Sequence, residues 1–171
     1  MKEISFRDDI LPLKDKLYRL ALRITLDTAE AQDVVQDTLI RVWNKREEWQ
    51  KLNSVEAYSM TACRNLALDR SAKAAHLNLQ LDEDRDETPT QQTPYEELAT
   101  RQQLEIVQKL MDRLPETQRS IMLLRDVEGK SYNEIAAILD LSEDQVKVYL
   151  YRARQRIKVQ FSKIETYDAR R

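Results

Sequence analysis

The sequence predicts an all-α protein, built as two small helical domains joined by a flexible linker. Three observations carry this. Gly occurs once and Pro four times in 171 residues, too few turn residues for a fold with many tight connections. Apolar residues recur at spacings of three and four through most of the chain, the period of a helix with one buried face. That pattern fails only from Leu77 to Pro94, LNLQLDEDRDETPTQQTP, which is acidic, rich in Thr and Gln and holds two of the four prolines. Such a composition buries too little apolar surface to offset the cost of ordering it. The expected organisation is therefore a first unit over 1–76, an acidic linker over 77–93, a second unit over 94–165 and a tail over 166–171.

In the first unit, Leu13, Leu17, Leu20, Ala21 and Ile24 fall on one helical face. Asp27 then opens DTAE, an N-cap with Glu30 three residues on. The helix that follows turns Ala31, Val34, Val35, Thr38, Leu39 and Val42 inward, and Trp43 reads as core or edge packing. A third helix is expected from Ser54, with Ala57, Thr61, Leu66 and Leu68 as packing positions. Cys63, the single cysteine, cannot form an internal disulfide and points to a reducing cytoplasm. On a helix patterned for packing it reads as a small buried filler. The N-terminal MKEISFRDDILPL is charged throughout, so neither a secretory signal nor a membrane span is expected.

The second unit begins with Thr93-Pro94, an N-cap followed by proline at the first helical position. Leu98, Leu104, Val107, Leu110 and Met111 supply its packing face. Leu114-Pro115 opens another helix that buries Ile121, Met122 and Leu124, and Gly129, the only glycine, ends it. Two capping boxes follow in quick succession: SYNE, with Ser131 as N-cap and Glu134 reaching back, and SEDQ, from Ser142 to Gln145. Between them lie a short helix, Tyr132 to Leu139, and a turn at Asp140-Leu141. Ala136 is small where the two helices approach, and Ile135 and Val146 are apolar where they pack. Asp140 occupies the turn position that needs φ > 0, which Asp tolerates better than most residues. Helix, short turn and helix in this arrangement make the helix-turn-helix unit of DNA-binding proteins.

The charge distribution supports that reading. Lys+Arg number 28 against Asp+Glu 30, a net charge of −2, which excludes a uniformly basic nucleic-acid coat and leaves room for one local basic face. On the last helix Val146, Tyr149, Leu150, Ala153 and Ile157 gather on one side at about 100° per residue. Lys147, Val148, Tyr151, Arg152, Arg154, Gln155 and Lys158 project elsewhere. An ordinary solvated helix mixes both signs of charge; this face is basic without compensating acid. Arg and Lys suit guanine edges and phosphates in a major groove. Enzymatic readings have little to stand on. The one histidine, His76, and Cys63 lack partners at metal-ligand spacing, no triad signature occurs, and one glycine cannot make a Walker-type phosphate loop. Neither a cofactor nor a metal is expected.

Three segments in order carry a resemblance: AEAQDVVQDTLIRVW, AYSMTACRNLALDR and LPETQRSIMLLRDVEGKSYNEIAAILDLSEDQVKVYLYRARQRIK. Together they are similar to the bacterial sigma-70 family, and specifically to its small extracytoplasmic-function (ECF) sigma factors. These keep two domains, regions 2 and 4, joined by a linker. The resemblance covers nearly the whole chain. It implies an initiation factor that binds core RNA polymerase through the β and β′ subunits, recognises −35 and −10 promoter elements and melts DNA. It also implies control by an anti-sigma factor. The helix from Ala31 to Trp43 would be region 2.2, with Asp33, Gln36, Asp37 and Arg41 docking on the polymerase; by the residues alone such a polar face also suits plain solvation. Lys51, Leu52, Asn53 and Ser54 would form the loop that captures an unstacked base, and Arg64, Asn65, Arg70 and Lys73 would lie on the strand. Asn65 equally suits a hydrogen bond between helices, and Asp69 a structural pairing. The face listed above on the last helix, Lys147 to Lys158, would read the −35 element.

The chain departs from the family pattern in places. Tyr58 stands where tryptophan is usual. After Asp69-Arg70 come Ser71, Ala72, Lys73, Ala74 and Ala75 in place of several arginines, so few phosphate contacts and a modest salt dependence are expected there. Asp140 replaces the more usual glycine. Val148 replaces a small polar residue and suits a thymine methyl. The resemblance would also lead the linker past the polymerase active-site cleft, where the acidic run from Asp82 to Glu87 would mimic nucleic acid. The rival reading from another class is a stand-alone helix-turn-helix regulator that acts without polymerase. A structural helical adaptor is a further rival, and it leaves the basic helix unexplained.

Overall fold

The computed structural model describes residues 5–51, 54–78 and 101–169. Among them the chain is helical throughout. Short turns at Phe6–Ile10 and Leu11–Leu13 lead into α1 (Lys14–Thr25), followed by α2 (Thr28–Asn44), a tight helical turn at Arg46–Lys51 and α3 (Val55–Asn78). The second unit contains α4 (Arg101–Asp112), α5 (Glu116–Met122) with a wider turn at Leu123–Val127, α6 (Tyr132–Leu139) and α7 (Glu143–Ala169). The helix α7 runs on into the stretch read as a tail. Leu98 and the Thr93-Pro94 cap lie outside the described residues.

The Asp27 cap is where the sequence placed it, and the helix start expected at Ser54 also carries one. Asp27 accepts from the Glu30 backbone N–H at 3.0 Å, and Ser54 accepts from that of Ala57 at 3.1 Å. Each satisfies a donor that the first helical turn leaves orphaned. Helix α1 stops because Leu26 turns left-handed, at φ 56° and ψ 27°. The helices α1, α2 and α3 pack against one another as a three-helix bundle. Its core is Leu17, Leu20, Ala21 and Ile24 of α1, all six expected positions of α2, and Met60, Cys63 and Ala67 of α3. On α3 the expected packing positions Ala57, Thr61, Leu66 and Leu68 are half-buried, and Ser59, Met60 and Ala67 go deepest. Cys63 is fully buried and its thiol approaches the Leu17 carbonyl at 3.4 Å. Burial pushes that thiol up to about 12, which leaves it inert. Trp49 is also buried and donates its indole N–H to the Val42 carbonyl at 2.9 Å. Trp43 packs edge-on between Phe6 and Trp49, as core-edge packing requires.

In the second unit α7 is the axis, contacted by α4, α5 and α6. Val146, Leu150 and Ala153 are its buried stripe, with Tyr149 and Ile157 packed beside them.

The two units do not stand apart. Helix α5 and the turn after it pack on α1, and α6 packs on α3, so the buried residues of both units form one apolar cluster. Polar contacts follow the seam. Glu56 of α3 binds Lys16 of α1 at 2.7 Å and Lys130, just before α6, at 2.8 Å. Arg19 binds Glu128, Arg23 binds Asp112 at 2.8 Å, and the Thr61 hydroxyl lies 3.4 Å from the Ile138 carbonyl. Arg119 of α5 donates to the Arg23 and Ile24 carbonyls at 2.7 and 3.4 Å. It thus caps the C-terminal end of α1, where a positive charge meets the helix dipole.

Burial pushes the Glu56 carboxyl up, but hydrogen bonds from Lys130 and Lys16 outweigh that and hold it below its ordinary 4.5. A carboxylate depressed in the folded state stabilises fully above the ordinary carboxylate range and is lost as pH falls through the depressed value. We expect Glu56→Gln to cost about 1 kcal/mol at neutral pH. Its thermal midpoint should also fall less steeply than that of the parent between about pH 5 and pH 3. Calorimetric melts across that range check this; parallel acid limbs for the two proteins would contradict it.

Candidate nucleic-acid interface

The basic helix is presented by its turn. Ser142 and Gln145 cap α7 reciprocally: the Gln145 backbone N–H donates to the Ser142 hydroxyl at 3.1 Å, and the Ser142 backbone N–H donates to the Gln145 side chain at 3.0 Å. At the start of α6 the Glu134 backbone N–H donates to the Ser131 hydroxyl at 3.1 Å. The Glu134 carboxylate meets that hydroxyl, at 3.2 Å, and the Lys130 ammonium, at 3.8 Å. Asp140 is left-handed, at φ 56° and ψ 52°, and the Leu141 backbone N–H closes the turn on the Ala136 carbonyl at 2.9 Å. Gly129 enters the motif at φ 68°. It stands in open space, so glycine serves backbone freedom there and not close packing.

The outward face of α7 emerges as read. Lys147, Val148, Tyr151, Arg152, Arg154, Gln155 and Lys158 are all exposed, and Tyr151 at 65% stands furthest out of the large side chains. Two of the seven have partners among the described residues. Arg154 is ion-paired with Asp126, and that hydrogen bond raises its guanidinium further. The compensating acid missing from this face of α7 thus comes from the preceding turn. Lys147 lies 5.5 Å over the Tyr132 ring, which also carries the Arg125 guanidinium at 4.4 Å. That cation–aromatic stack ties the start of α6 to the start of α7. No periodicity announces it, because its members come from three different elements.

The residues assigned to the −10 element form a strip and not a cluster. Ser54 and Asn65 are separated by roughly 16 Å of helix, and Ser54 and Lys73 by roughly 28 Å, at 1.5 Å per residue. Lys51, Ser54, Asn65 and Lys73 are exposed, with the Ser54 hydroxyl engaged as the α3 cap. Leu52 and Asn53 lie outside the described residues. Arg64 turns toward the second unit, with a terminal nitrogen 3.5 Å from Glu116; its Nε is buried with no hydrogen-bond partner. Tyr58 is half-buried against the core. Arg70 faces α2, binding Asp37 at 2.5 Å and lying 3.4 Å from both Asp33 and Glu30. Asp69 is exposed, and the acids around Arg70 are those of α2.

The α2 face itself is open. Asp33, Gln36 and Arg41 are exposed and Asp37 is half-buried. Arg70 draws Asp33 and Asp37 together, so the docking candidates and one strand candidate share a single charge cluster. Ile40 was missed. It is 58% exposed, three residues beyond Asp37 and four beyond Gln36, in the middle of this polar face. The sequence did hold a signal: Ile40 lies off the apolar stripe of α2, where a solvated helix would carry a polar residue. Among the described residues no group of three or more His, Cys, Asp and Glu side chains is placed to hold a metal.

Comparison with known proteins bears on this geometry. The family model for Sigma-70 region 2 matches residues 10–76, and that for Sigma-70, region 4 matches residues 104–157. The chain is 35% identical over 138 residues to the ECF RNA polymerase sigma factor SigL of Mycobacterium tuberculosis, covering 80% of this chain and 77% of the relative. It is 31% identical over 146 residues to the ECF RNA polymerase sigma factor SigE of Mycolicibacterium smegmatis, covering 84% of this chain but only 56% of that longer relative. Among solved structures, the sigma factor RpoE from Bartonella quintana, in complex with the anti-sigma factor NepR, matches with a TM-score of 0.77. That match has 25% identity and covers 93% of this chain and 97% of the other. CnrH, in complex with the cytosolic domain of CnrY, matches with a TM-score of 0.65 at 21% identity, over 92% of this chain and 87% of the other, a likeness of fold.

The left-handed turn at Asp140 is directly testable. Asp140→Gly should keep or raise the thermal midpoint, because glycine adopts φ > 0 freely. Asp140→Val should cost about 1–2 kcal/mol, because a β-branched side chain is strained there. Equal midpoints for Asp140→Val and the parent in a thermal melt would remove the conformational requirement.

Proposed function

The chain belongs to the sigma-70 family and is an RNA polymerase sigma factor of the ECF type; from that premise we propose how its own residues divide the work. The observation that carries the reading is the co-occurrence, in order on one chain, of a match to region 2 and a match to region 4. Residues 1–76 serve core docking and the −10 element, 77–93 link, 94–165 serve the −35 element, and 166–171 extend the last helix or follow it. The partners are core RNA polymerase, through its β and β′ subunits, promoter DNA and an anti-sigma factor. No helix among the described residues is long and apolar enough to cross a membrane, which suits work in the cytoplasm where polymerase and promoters are. A sigma factor directs initiation; no chemical step is assigned to this chain.

The α2 face of Asp33, Gln36, Asp37 and Arg41 docks on the polymerase, with Ile40 as its apolar anchor. Protein interfaces concentrate their binding energy in a few large side chains ringed by polar ones. The α7 face enters the major groove, with Lys147, Arg152, Arg154, Gln155 and Lys158 on base edges and phosphates and Val148 and Tyr151 on apolar edges such as thymine methyl. Lys51, Leu52, Asn53, Ser54, Arg64, Asn65, Arg70 and Lys73 receive the opened −10 strand. The strip they make along α3 matches a strand laid lengthwise better than a single base pocket. Each contact set alone is weak. Held on one polymerase they gain through effective concentration, and capture of the unstacked strand supplies the energy of melting.

Run-off transcription with bacterial core polymerase on a promoter-fragment pool tests the reading. Specific starts that appear only with this protein support it. No starts, with polymerase-independent binding to a discrete site, would support a stand-alone regulator instead. Within that assay, Ile40→Ala should weaken core binding about tenfold, an amount typical of losing an interface hot spot, with an unchanged thermal midpoint. Arg152→Ala should lower open-complex formation on the enriched promoters and leave core binding intact. Binding titrations and run-off yields measured on the same preparations separate the two effects.

A further inference from the structure

We propose that Asp126 is a specificity-determining residue of the DNA-reading face: it masks Arg154 from passing duplex and yields it to a phosphate only when α7 is seated in its groove. The mask rests on the reading of α7 as the groove-entering helix and involves the second unit alone.

Asp126 is held in place by its own turn. The Glu128 backbone N–H donates to the Leu123 carbonyl at 2.9 Å, and that of Lys130 to the Leu124 carbonyl at 2.8 Å. The neighbouring Arg125 donates to the Lys130 carbonyl at 2.9 Å and lies over the Tyr132 ring. A fixed backbone thus presents the Asp126 carboxylate to α7. It takes the side edge of the Arg154 guanidinium: Nη2 donates to one carboxylate oxygen, and Nε lies 3.4 Å from the other. A guanidinium carries five N–H donors in one plane, and Nη1 of Arg154 has no hydrogen-bond partner among the described residues. A phosphate can therefore engage Nη1 before the carboxylate lets go, and the exchange passes through no bare ion.

The place of Arg154 on the helix sets its role. It lies two turns beyond Lys147 along the same edge, roughly 10 Å at 1.5 Å per residue. The N-terminal part of a recognition helix meets base edges. A residue two turns later falls at the rim of the groove, where phosphates pass. The pair is also weak enough to exchange. Its side chains are 49% and 35% exposed, and ion pairs so open to solvent add little to stability. Helix α7 does not need the pair as a staple, since Val146, Leu150 and Ala153 are already buried against the rest of the unit.

Non-specific binding comes almost wholly from cations that release counterions from phosphates. A guanidinium neutralised by its own carboxylate adds nothing to that count, and the carboxylate repels the duplex. Seating of α7 changes the competition. Contacts by the exposed Lys147, Arg152 and Lys158 hold one phosphate beside Arg154, and its effective concentration there lets it outcompete Asp126. Arg154 then counts on a seated site and not elsewhere, which widens the gap between specific and non-specific affinity.

Anisotropy titrations of the full chain across a salt series test this. The probes are a duplex selected by the full chain from a random pool and a scrambled duplex of the same length. For the parent, the logarithm of affinity should fall more steeply with the logarithm of salt on the selected duplex, by about 0.9, one phosphate's worth. Asp126→Asn should close that difference by steepening the scrambled line. It should tighten scrambled binding about fivefold and leave the thermal midpoint unchanged. Arg154→Ala should close the difference from the other side, by flattening the selected line, and adding Asp126→Asn to it should then move neither slope. Equal slopes for the parent on both duplexes, or a difference that survives Asp126→Asn, would overturn the mask. A lowered midpoint with unmoved slopes would make the pair a structural staple and overturn it too. Failure to select any duplex over the scrambled one would remove the groove-entering role of α7 and the mask with it. None of these titrations uses polymerase, so absent run-off would sink the initiation-factor reading while the slopes still decide the mask.

Discussion

Everything in this chain closes on α1. Its apolar face, Leu17, Leu20, Ala21 and Ile24, holds α2 and α3 and so makes the first unit. Its basic edge meets carboxylates beside the shared apolar cluster: Arg19 and Arg23 pair with Glu128 and Asp112 of the second unit, and Lys16 with Glu56 of α3. Its C-terminal carbonyls receive Arg119. The two sides of the helix therefore do different physical jobs. Burying the apolar face is not reversible without unfolding, since each buried Leu or Ile contributes about 1.5–3 kcal/mol. The partly exposed ion pairs of its basic edge contribute less, about 0.2–1 kcal/mol each.

The periodic part of this architecture was legible in the sequence. The buried stripes of α1, α2 and α7, the caps at Asp27, Ser54, Ser131 and Ser142, and the left-handed turn at Asp140 all follow from local rules, because cause and effect lie within one or two turns. What was not legible involves partners distant along the chain. Arg70 was read as a strand contact, yet it sits among Glu30, Asp33 and Asp37 of α2. Asp126 neutralises Arg154, and Trp49 fills a core position from a tight turn with no periodicity of its own. The stripe of Lys16, Arg19 and Arg23 went unread. Spacing alone reads it as a solvated face, and nothing local says that carboxylates from the far unit will meet it.

The arginines show how such distant pairing matters for function. Arg64, Arg70 and Arg154 were each assigned to DNA, and each is held by an acid from another element. Arg152 and Lys158 remain exposed. A protein with nearly balanced charge can carry basic reading surfaces without sticking to every duplex if its own carboxylates occupy some of those cations. The phosphates of a correctly placed promoter, presented many at once, can then displace them. This trades affinity of the free chain for dependence on context, because a phosphate must outcompete a carboxylate already in place.

Coupling between docking and reading then needs no long-range pathway. Asp33 and Asp37 lie on the face proposed for the polymerase, and Arg70, proposed for the strand, is bound to both. A polymerase cation that draws off either carboxylate loosens Arg70 by the same act, since the three charges share one cluster. Reciprocity follows from linkage: a strand phosphate that captures Arg70 leaves the two acids freer to pair with the polymerase. The apolar contact at Ile40, with no charge to trade, would fix where docking occurs. The charge cluster would fix when the strand site becomes available.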